Sequence, residues 1–483
     1  MTVLLFACLQ APARNLWAFL TYSTFNSPEG SYVETYLTIA GNSVRYQKLD
    51  NGTYQATINI LMTFRQGIEI KAFSKYELKS PEIQDTTSAD LYFNHQDRFF
   101  LPNGTFDFEI QLADQNSSVK PVPFSQAITV DFPTDKPSFS GIELIKSYSK
   151  ATKETAYSKS GYDLIPNVFT FYPEKENRLT FYAELYGIEQ AIGKDEKFLI
   201  TYYFESYEGN IRLLDFARSR KETARPVNVM LTEFNIENLA TGNYNLVLEA
   251  RNNKNELMAS KKLFFQRINP NTQFNMSELV SLNIRGTFVE SITNPDTLRE
   301  YISCTYPVAS GLEKSFVKNS LRAADLKTMQ QYFYNFWYRR NEANPYQAWL
   351  TYKAQVAVAQ ENFGTPVKKG YQTDRGRVFL QYGPPNAREV HYMEPSSLPY
   401  EIWQYYTLNE TQRNKKFVFY SPDMVTSDFY LLHSDAIGEI YEPRWKVFLR
   451  SKLFSPIDLQ DDQVIRSWGD FEEDAWTLPT TNL

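Results

Sequence analysis

The spacing of apolar side chains changes along this chain, and the change limits what it can fold into. Apolar residues occupy every second position over residues 54–64, directly after Asn51 and Gly52. The same alternation follows Asn103 and Gly104 over residues 106–112. Period-two alternation after an Asn-Gly pair predicts antiparallel strands joined by tight hairpins. Several strands at this spacing predict a β-sandwich over residues 14–135.

The middle of the chain, residues 138–270, has the same character. Residues 178–186 and 197–207 are typical of aromatic-rich strands, and a polar turn at 252–255 precedes a further strand at 257–266. Aromatic residues make up 16% of the chain, with 33 tyrosines and 35 phenylalanines, and this content favours β-structure. We therefore predict a second Ig-like β-sandwich that resembles the first in architecture only.

The apolar spacing then becomes three and four residues, which is the period of a helix. It predicts amphipathic helices over residues 326–338 and 346–363, with Pro345 in a first turn and Gly364 after a last turn. Short strands are predicted to follow at residues 378–382, 401–406, 417–420 and 429–432. The fold class is therefore multi-domain and mainly β, with two tandem sandwiches and a small α+β domain at 276–450. An acidic tail follows at 451–483.

Composition and motifs exclude several classes of function. A formal net charge of -6 without a concentrated basic face argues against a nucleic-acid partner. The sequence holds no phosphate-binding glycine loop, nucleophile elbow or dinucleotide fingerprint. Its histidines show no metal-ligand spacing, and Cys304 has no histidine near it in sequence. We therefore predict no cofactor and no metal, and expect His391, between Glu389 and Glu394, to be a solvated loop residue.

The N-terminus predicts export. Residues 3–9 are apolar, and the small residues Ala11 and Ala13 fit a signal-peptidase site, so residues 1–13 are interpreted as part of a signal peptide. Cys8 leaves a second possibility open, a lipid anchor on that cysteine. Either alternative predicts an exported protein in the periplasm or at the periphery of the outer membrane.

The segment at residues 370–385 combines turn glycines, charges and a terminal diproline. Its start, Gly370-Tyr371-Gln372-Thr373-Asp374, resembles the signature of the GWxTD domain family. Residues 336–341, 361–364 and 400–405 are similar to further elements of that family. Tyr371 replaces the signature tryptophan, and Asn341 replaces an aspartate. The resemblance implies an exported cell-envelope protein of a kind found mainly in Bacteroidota, and it implies no defined reaction.

Two interpretations of the signature segment are open. It is a polar site around Asp374, Arg375 and Arg377, or a rigid turn that fixes the helices on the sheet. Asp374 could form a bidentate ion pair with an arginine, either Arg375 or Arg377 beside it or Arg339 or Arg340 from the preceding helices. The rigid turn is favoured because arginine–carboxylate networks commonly fix geometry without chemistry. The candidate structural or interaction residues are Trp337, Arg339, Arg340, Gly370, Tyr371, Thr373, Asp374, Arg375, Arg377, Tyr382 and Trp403.

These observations favour a binding protein over an enzyme. The function predicted from the sequence is a non-enzymatic structural or binding module within an assembly of envelope proteins. Membrane association is expected only through a partner or through a lipid on Cys8. The alternative is a glycan-binding or glycan-hydrolysing protein that uses the aromatic and acidic loops of the C-terminal domain, such as residues 392–400.

Overall fold

A computed structural model defines most of the chain between residues 16 and 451. It describes residues 16–86, 91–118, 121, 123–153, 155, 157–272, 283–394, 397–409, 412–422, 428–442 and 444–451. The predicted signal segment, Cys8 and the acidic tail from residue 452 onward lie outside the described residues. The protein is mainly β, with 45% strand and 21% helix, as the sequence predicts.

The chain divides into two compact units. The first contains residues up to Tyr203 together with Leu214–Glu237 and Leu246–Leu263. The second contains Phe204–Leu213, Asn238–Asn245 and the chain from Phe264 onward. The domain boundaries predicted from the sequence stay predictions.

The first unit begins with a β-sandwich. Its strands are β1 (Ala18–Ser27), β2 (Gly30–Ala40), β3 (Gln47–Lys48), β4 (Tyr54–Gln55), β5 (Thr57–Gln66), β6 (Glu69–Lys79), β7 (Tyr92–Phe100), β8 (Gly104–Asp114) and β9 (Phe124–Val130). The sheet β1-β2-β7 and the sheet β6-β5-β8-β9 are antiparallel. The alternating residues of β5, such as Ile58, Met62 and Phe64, are fully buried, because every second side chain of a strand points to the same face.

The two Asn-Gly pairs have different outcomes. Asn51 and Gly52 form the turn between β3 and β4, with Gly52 at a φ of +86°. The hairpin predicted at Asn103 is wrong, since β7 pairs with β2 while β8 pairs with β5 and β9 in the other sheet. The side-chain amide of Asn103 instead donates to Phe132 O and accepts from Phe132 N, both at 2.9 Å. These two bonds tether the segment that crosses between the sheets.

A second sandwich follows, as predicted. Its elements are β10 (Ser138–Phe139), β11 (Glu143–Lys150), β12 (Ser158–Lys159), β13 (Tyr162–Pro166), β14 (Phe171–Tyr172), β15 (Arg178–Tyr186), α1 (Ile188–Ile192), β16 (Lys197–Ser206), β17 (Arg212–Thr223), β18 (Val227–Asn235), β19 (Gly242–Arg251) and β20 (Leu257–Arg267). One sheet has the order β10-β15-β11-β13-β12, with β18 also paired to β15. The other has the order β14-β20-β19-β16-β17.

A charged cluster is buried inside the first unit. Lys159 Nζ on β12 lies 2.6 Å from Glu143 Oε2 on β11 and contacts the carboxylate of Glu34 on β2. Arg98 Nε lies 2.6 Å from Glu34 Oε1, and the Tyr36 hydroxyl donates to Glu34 Oε2 at 2.8 Å. The side chains of Glu34, Glu143 and Lys159 are 0%, 2% and 5% exposed. The first sandwich is therefore joined to strands of the second by salt bridges and a hydrogen bond.

The described residues from 283 to 451 form an α+β domain, as predicted. Its elements are α2 (Pro295–Ser303), α3 (Gly311–Asn319), α4 (Leu326–Tyr338), α5 (Pro345–Phe363), α6 (Asp374–Tyr382), β21 (Ala387–His391), β22 (Tyr400–Asn409), β23 (Gln412–Tyr420), β24 (Tyr430–Ser434) and α7 (Trp445–Ser451). The strands form an antiparallel sheet in the order β21-β22-β23-β24. The helices and this sheet share a core rich in aromatic rings, including Phe333, Trp337, Trp349 and Trp403. No helix in the described ranges combines the length and apolarity needed to cross a bilayer.

The two long helices are confirmed at their predicted positions. The side chains of Asp325 and Asn344 cap their first turns, and Pro345 occupies the first turn of α5. Gly364 ends α5 in an extended conformation, with φ -64° and ψ 144°, and not in the left-handed conformation expected after a last turn.

The strand predicted at residues 378–382 is wrong, because these residues belong to helix α6. Thr373 caps this helix, since its Oγ1 accepts from Gly376 N at 3.1 Å. The helix ends at Gly383, whose φ of +81° suits glycine, before the diproline. A short apolar run is compatible with either a buried strand or a buried helix. Here the N-cap hydrogen bond of Thr373 favours the helix.

Candidate functional site

The signature segment is built on close backbone contacts. A Cβ added at Gly376 would lie 1.8 Å from Gly370 O, and one added at Gly370 would lie 2.2 Å from Ala359 O on α5. Thr373 Oγ1 donates to Gly370 O at 2.9 Å, and Tyr371 is buried beside this turn. Glycine is required at these two positions because any side chain would push α6 away from the turn and from α5.

Asp374 binds backbone and not a cation. Its Oδ2 accepts from Leu431 N at 2.7 Å, which attaches the start of α6 to β24. The predicted ion pair between Asp374 and an arginine is therefore wrong. The neighbouring arginines Arg375 and Arg377 are bound to glutamates from other elements.

Arg375 belongs to a buried cluster around Glu401 on β22. Glu401 accepts from Arg375 Nη1 at 2.7 Å, from Arg388 Nη2 at 2.8 Å and from Trp403 Nε1 at 3.0 Å. The hydroxyl of Tyr392 also donates to it, and Glu401 is 0% exposed. Burial raises the pKa of Glu401, but its bonds to Arg388 and Tyr392 and the charge of Arg375 hold that pKa below its ordinary value. This glutamate is an ionised structural hub.

Arg340 forms a second pair of this kind. Its Nη1 and Nη2 lie 3.0 Å and 2.8 Å from the two oxygens of Glu313 on α3, and it also donates to Phe336 O and Val308 O. Burial raises the pKa of Glu313, but Arg340 lowers it to below its ordinary value. The preceding residue, Arg339, is exposed at the end of α4. Arg340 therefore fixes α4 to α3.

Arg377 forms the third pair and lies at a cavity. Its Nη1 and Nη2 lie 2.8 Å and 2.7 Å from the two oxygens of Glu439, and the hydroxyl of Tyr382 donates to Glu439 Oε1 at 2.9 Å. Burial lowers the pKa of Arg377, but Glu439 raises it to a net value above the ordinary one. Of the residues predicted from the sequence, Arg377 and Tyr382 are the two that line this cavity.

The cavity, which we call the Glu208 cavity, has a volume of about 150 Å³. It is lined by Tyr207, Glu208, Asn243, Tyr306, Pro307, Lys314, Arg377, Gln381, Tyr382, Gly438 and Glu439. A groove of about 450 Å³ adjoins it and shares Glu208, Asn243, Tyr306 and Lys314. Glu208 Oε1 accepts from Lys314 Nζ at 2.9 Å and from Asn243 Nδ2 at 3.2 Å. Glu208 was not predicted as a site residue, because it lies outside every motif in the sequence.

Other candidate chemistry is weak in the described residues. Burial raises the pKa of the Cys304 thiol to about 12, so this thiol is protonated and a poor nucleophile. No group of three or more histidine, cysteine, aspartate or glutamate side chains with the arrangement of a metal site is found among the residues that the structure describes.

His391 packs against Tyr400 and contacts Glu394, so it is not a solvated residue. Its ring stacks on Tyr400 with centroids 4.5 Å apart, and its Nδ1 lies 2.6 Å from Glu394 Oε1. Glu394 also accepts from Ser397 Oγ at 3.1 Å. The expectation of a solvated loop histidine is therefore wrong, because β21 carries His391 onto the ring of Tyr400.

This mainly β chain with an α+β domain of buried arginine–glutamate pairs matches a known domain family. Residues 309–450 match the GWxTD domain, so the chain contains a GWxTD domain over those residues, as the signature predicted. The match includes Arg340, the signature segment and Glu401. Among curated proteins no match is found.

Three solved structures show distant similarity to this chain. A calcium-binding mutant of beta-glucuronidase 2 from Bacteroides uniformis is 9% identical, with a TM-score of 0.18, and the match covers 48% of this chain and 26% of that one. A glycosyl hydrolase family 2 member from Bacteroides cellulosilyticus is also 9% identical, with a TM-score of 0.19 and coverages of 48% and 28%. Fibronectin(III)-like modules of CbhA from Clostridium thermocellum are 8% identical, with a TM-score of 0.15 and coverages of 53% and 97%. This chain therefore spans about a quarter of the two glycosidases, and similarities at these scores carry no argument about activity.

Proposed function

We propose that this protein is a non-enzymatic structural and binding module of an exported envelope assembly, in the periplasm or at the periphery of the outer membrane. The observation that carries the proposal is that three arginines of the GWxTD domain are already paired with glutamates inside the domain. Arg340, Arg375 and Arg377 each pair with a glutamate from another element. Groups that act on a reactant must face it, whereas Arg340 and Arg375 hold helices and sheet together, and Arg377, which lines a cavity, is already bound to both oxygens of Glu439.

The outer strand of the small sheet supports a binding role. Strand β21 is an edge strand, and an edge presents backbone groups that pair with a strand of another protein. Val390 on this strand and Met393 just after it are exposed apolar side chains, Met393 at 95%. An envelope protein that adds a strand to β21 would cover both side chains.

The aromatic and acidic loop of the glycan alternative gives less support. Glu394 accepts hydrogen bonds from Ser397 and Tyr400, and Tyr392 donates to Glu401. These acids are engaged within the domain. The proposed export rests on the N-terminal sequence pattern, with signal cleavage and lipid attachment at Cys8 as the two alternatives.

The test is affinity purification of the tagged full chain from the envelope of its own source organism. We expect a reproducible set of envelope proteins with the unchanged chain, and loss of that set with the double variant Val390→Lys and Met393→Asp. The matched control is Ile68→Asp, which alters a fully exposed apolar residue in the first unit. Recovery of the protein alone as a monomer, with no partner lost in the double variant, contradicts the proposal.

A further inference from the structure

We propose that the Glu208 cavity binds the terminal residue of a neutral sugar, with the adjoining groove receiving the rest of the glycan. This inference shares the Arg377–Glu439 pair with the argument for the envelope role, but it does not depend on that role. Four observations carry it: a carboxylate oxygen without a partner, a balanced set of charges, an exposed aromatic face and the shape of the site.

The first observation is the state of Glu208. Its side chain is 6% exposed, and its Oε1 is bound by Lys314 and Asn243. Its Oε2 is buried with no hydrogen-bond partner among the described residues. Leaving such an acceptor unpaired costs about 1–3 kcal/mol, so a ligand that brings a donor next to it offsets that cost.

The balance of positive and negative charges in the cavity indicates that the ligand group that donates to Glu208 is neutral. The cavity is lined by two carboxylates, Glu208 and Glu439, and by two cations, Lys314 and Arg377. Each carboxylate already pairs with one of the cations. A ligand with a further full charge would therefore be partly desolvated without a counter-ion, which is unfavourable for either sign. A hydroxyl group supplies the donor without adding charge.

The remaining lining fits a ring that carries several hydroxyl groups. The phenol of Tyr306 is 42% exposed at the point where cavity and groove meet, and it offers a flat apolar face. Gln381, Tyr207 and Tyr382 add polar side chains to the lining, although the two hydroxyls also bond to Gln412 and Glu439. The groove volume of about 450 Å³ lies within the ordinary range for ligand sites, about 300–1,000 Å³.

The test is calorimetry and saturation-transfer NMR on the full chain. The probes are glucose, galactose, mannose, N-acetylglucosamine and cellobiose as neutral sugars, glucuronate as a charged sugar, and glycerol as a simple polyol. We expect saturable binding of at least one neutral sugar and no binding of glucuronate. The sugar that binds should do so more tightly than glycerol.

Variants identify the site. Glu208→Gln is expected to weaken the neutral sugar about tenfold, because it removes a charged acceptor. The same change leaves Lys314 without its counter-ion, so glucuronate should gain affinity relative to the neutral sugar, a reversal that a merely structural role of Glu208 would not produce. Tyr306→Ala, at a surface position, should also weaken the sugar about tenfold. The matched control is Glu249→Gln, since Glu249 is a partly buried glutamate paired with Arg251 outside the site.

Two results overturn the inference. One is the absence of saturable binding of every neutral sugar up to about 10 mM by the folded, unchanged chain. The other is binding that is equally strong in Glu208→Gln and Tyr306→Ala. Neither result bears on the recovery of envelope partners, so failure of this inference is distinguishable from failure of the proposed envelope role.

Discussion

At the scale of single residues, the function of each signature charge is set by its partner. Arg340 and Arg375 form ion pairs that fix neighbouring elements to each other. Arg377 also forms an ion pair, but this pair lies in the wall of a cavity. Burial raises the pKa values of Glu313 and Glu401, but Arg340 holds that of Glu313 below its ordinary value, and Arg388, Tyr392 and Arg375 do the same for Glu401. These groups are parts of the framework, and a change in one should be read first as a loss of stability.

Glu401→Gln is expected to lower the free energy of unfolding by about 3–5 kcal/mol, because the buried guanidinium of Arg375 loses its counter-ion. Urea denaturation followed by tryptophan fluorescence measures this change. Arg388→Met is the control, since Arg388 contacts the same carboxylate but is 40% exposed, and it should cost about 1 kcal/mol or less. Equal effects of the two variants would show that Glu401 is not a buried hub.

The sequence identified one member of each pair and missed the other. Arg375 and Arg377 stand in a recognisable motif, whereas their partners Glu401 and Glu439 lie 26 and 62 residues further along. Partners at such separations are defined by the fold and leave no spacing signal. Asp374 shows the opposite error, because an acid next to arginines in sequence is bound in space by Leu431 N.

At the scale of elements, local signals predicted long segments well and short ones poorly. Helices α4 and α5 are long enough for their apolar period to be read directly, and the structure confirms them. Helix α6 has only nine residues, and its apolar run was interpreted as a strand. Asn103 carries a hairpin signal, but its amide binds Phe132 and the chain crosses to the other sheet. In both cases a side-chain-to-backbone bond decided between two conformations that the local sequence allows.

Gly376→Ala is expected to destabilise the second unit by about 2 kcal/mol or more, because the new methyl group would meet Gly370 O at 1.8 Å and displace the first turn of α6. Thermal unfolding monitored by circular dichroism measures the loss. The control is Gln372→Ala at an exposed neighbouring position, where about 1 kcal/mol or less is expected. An unchanged melting temperature for Gly376→Ala would show that this close contact is not part of the folded protein.

At the scale of the whole molecule, charged side chains are buried at a position where apolar side chains are more usual. Within the first unit, the first sandwich is joined to strands β11 and β12 of the second partly through Lys159 and two glutamates. The two carboxylates are not equivalent. Burial raises the pKa of Glu34, but Lys159 and Arg98 lower it to below its ordinary value. Burial, with Glu34 nearby, holds the pKa of Glu143 above its ordinary value despite the bond to Lys159. Lys159 thus contacts both carboxyl groups, and the burial of Glu143 is less well offset by its contacts than the burial of Glu34.

This asymmetry gives opposite signs for the two glutamates as pH changes. Glu34 has a lowered pKa in the folded state, so its stabilising contribution is present above the unfolded value of about 4.3 and is lost as pH falls below it. Glu143 has a raised pKa, so its contribution is present below about 4.3 and is lost as pH rises through its folded pKa. Glu143→Gln should therefore gain stability relative to the unchanged chain as pH is raised from about 4 to 7.

At neutral pH we expect Glu143→Gln to lie within about 1 kcal/mol of the unchanged chain, whereas Lys159→Met should cost about 3–5 kcal/mol because it leaves two buried carboxylates without their shared cation. Adding Glu143→Gln to Lys159→Met should recover part of this loss, since one of the two uncompensated charges is then removed. Urea denaturation of the three variants at several pH values measures all of these differences. If Glu143→Gln loses stability with rising pH, or if it deepens the loss in Lys159→Met, then Glu143 is stabilised as an anion by Lys159 and the asymmetry inferred for this cluster is wrong.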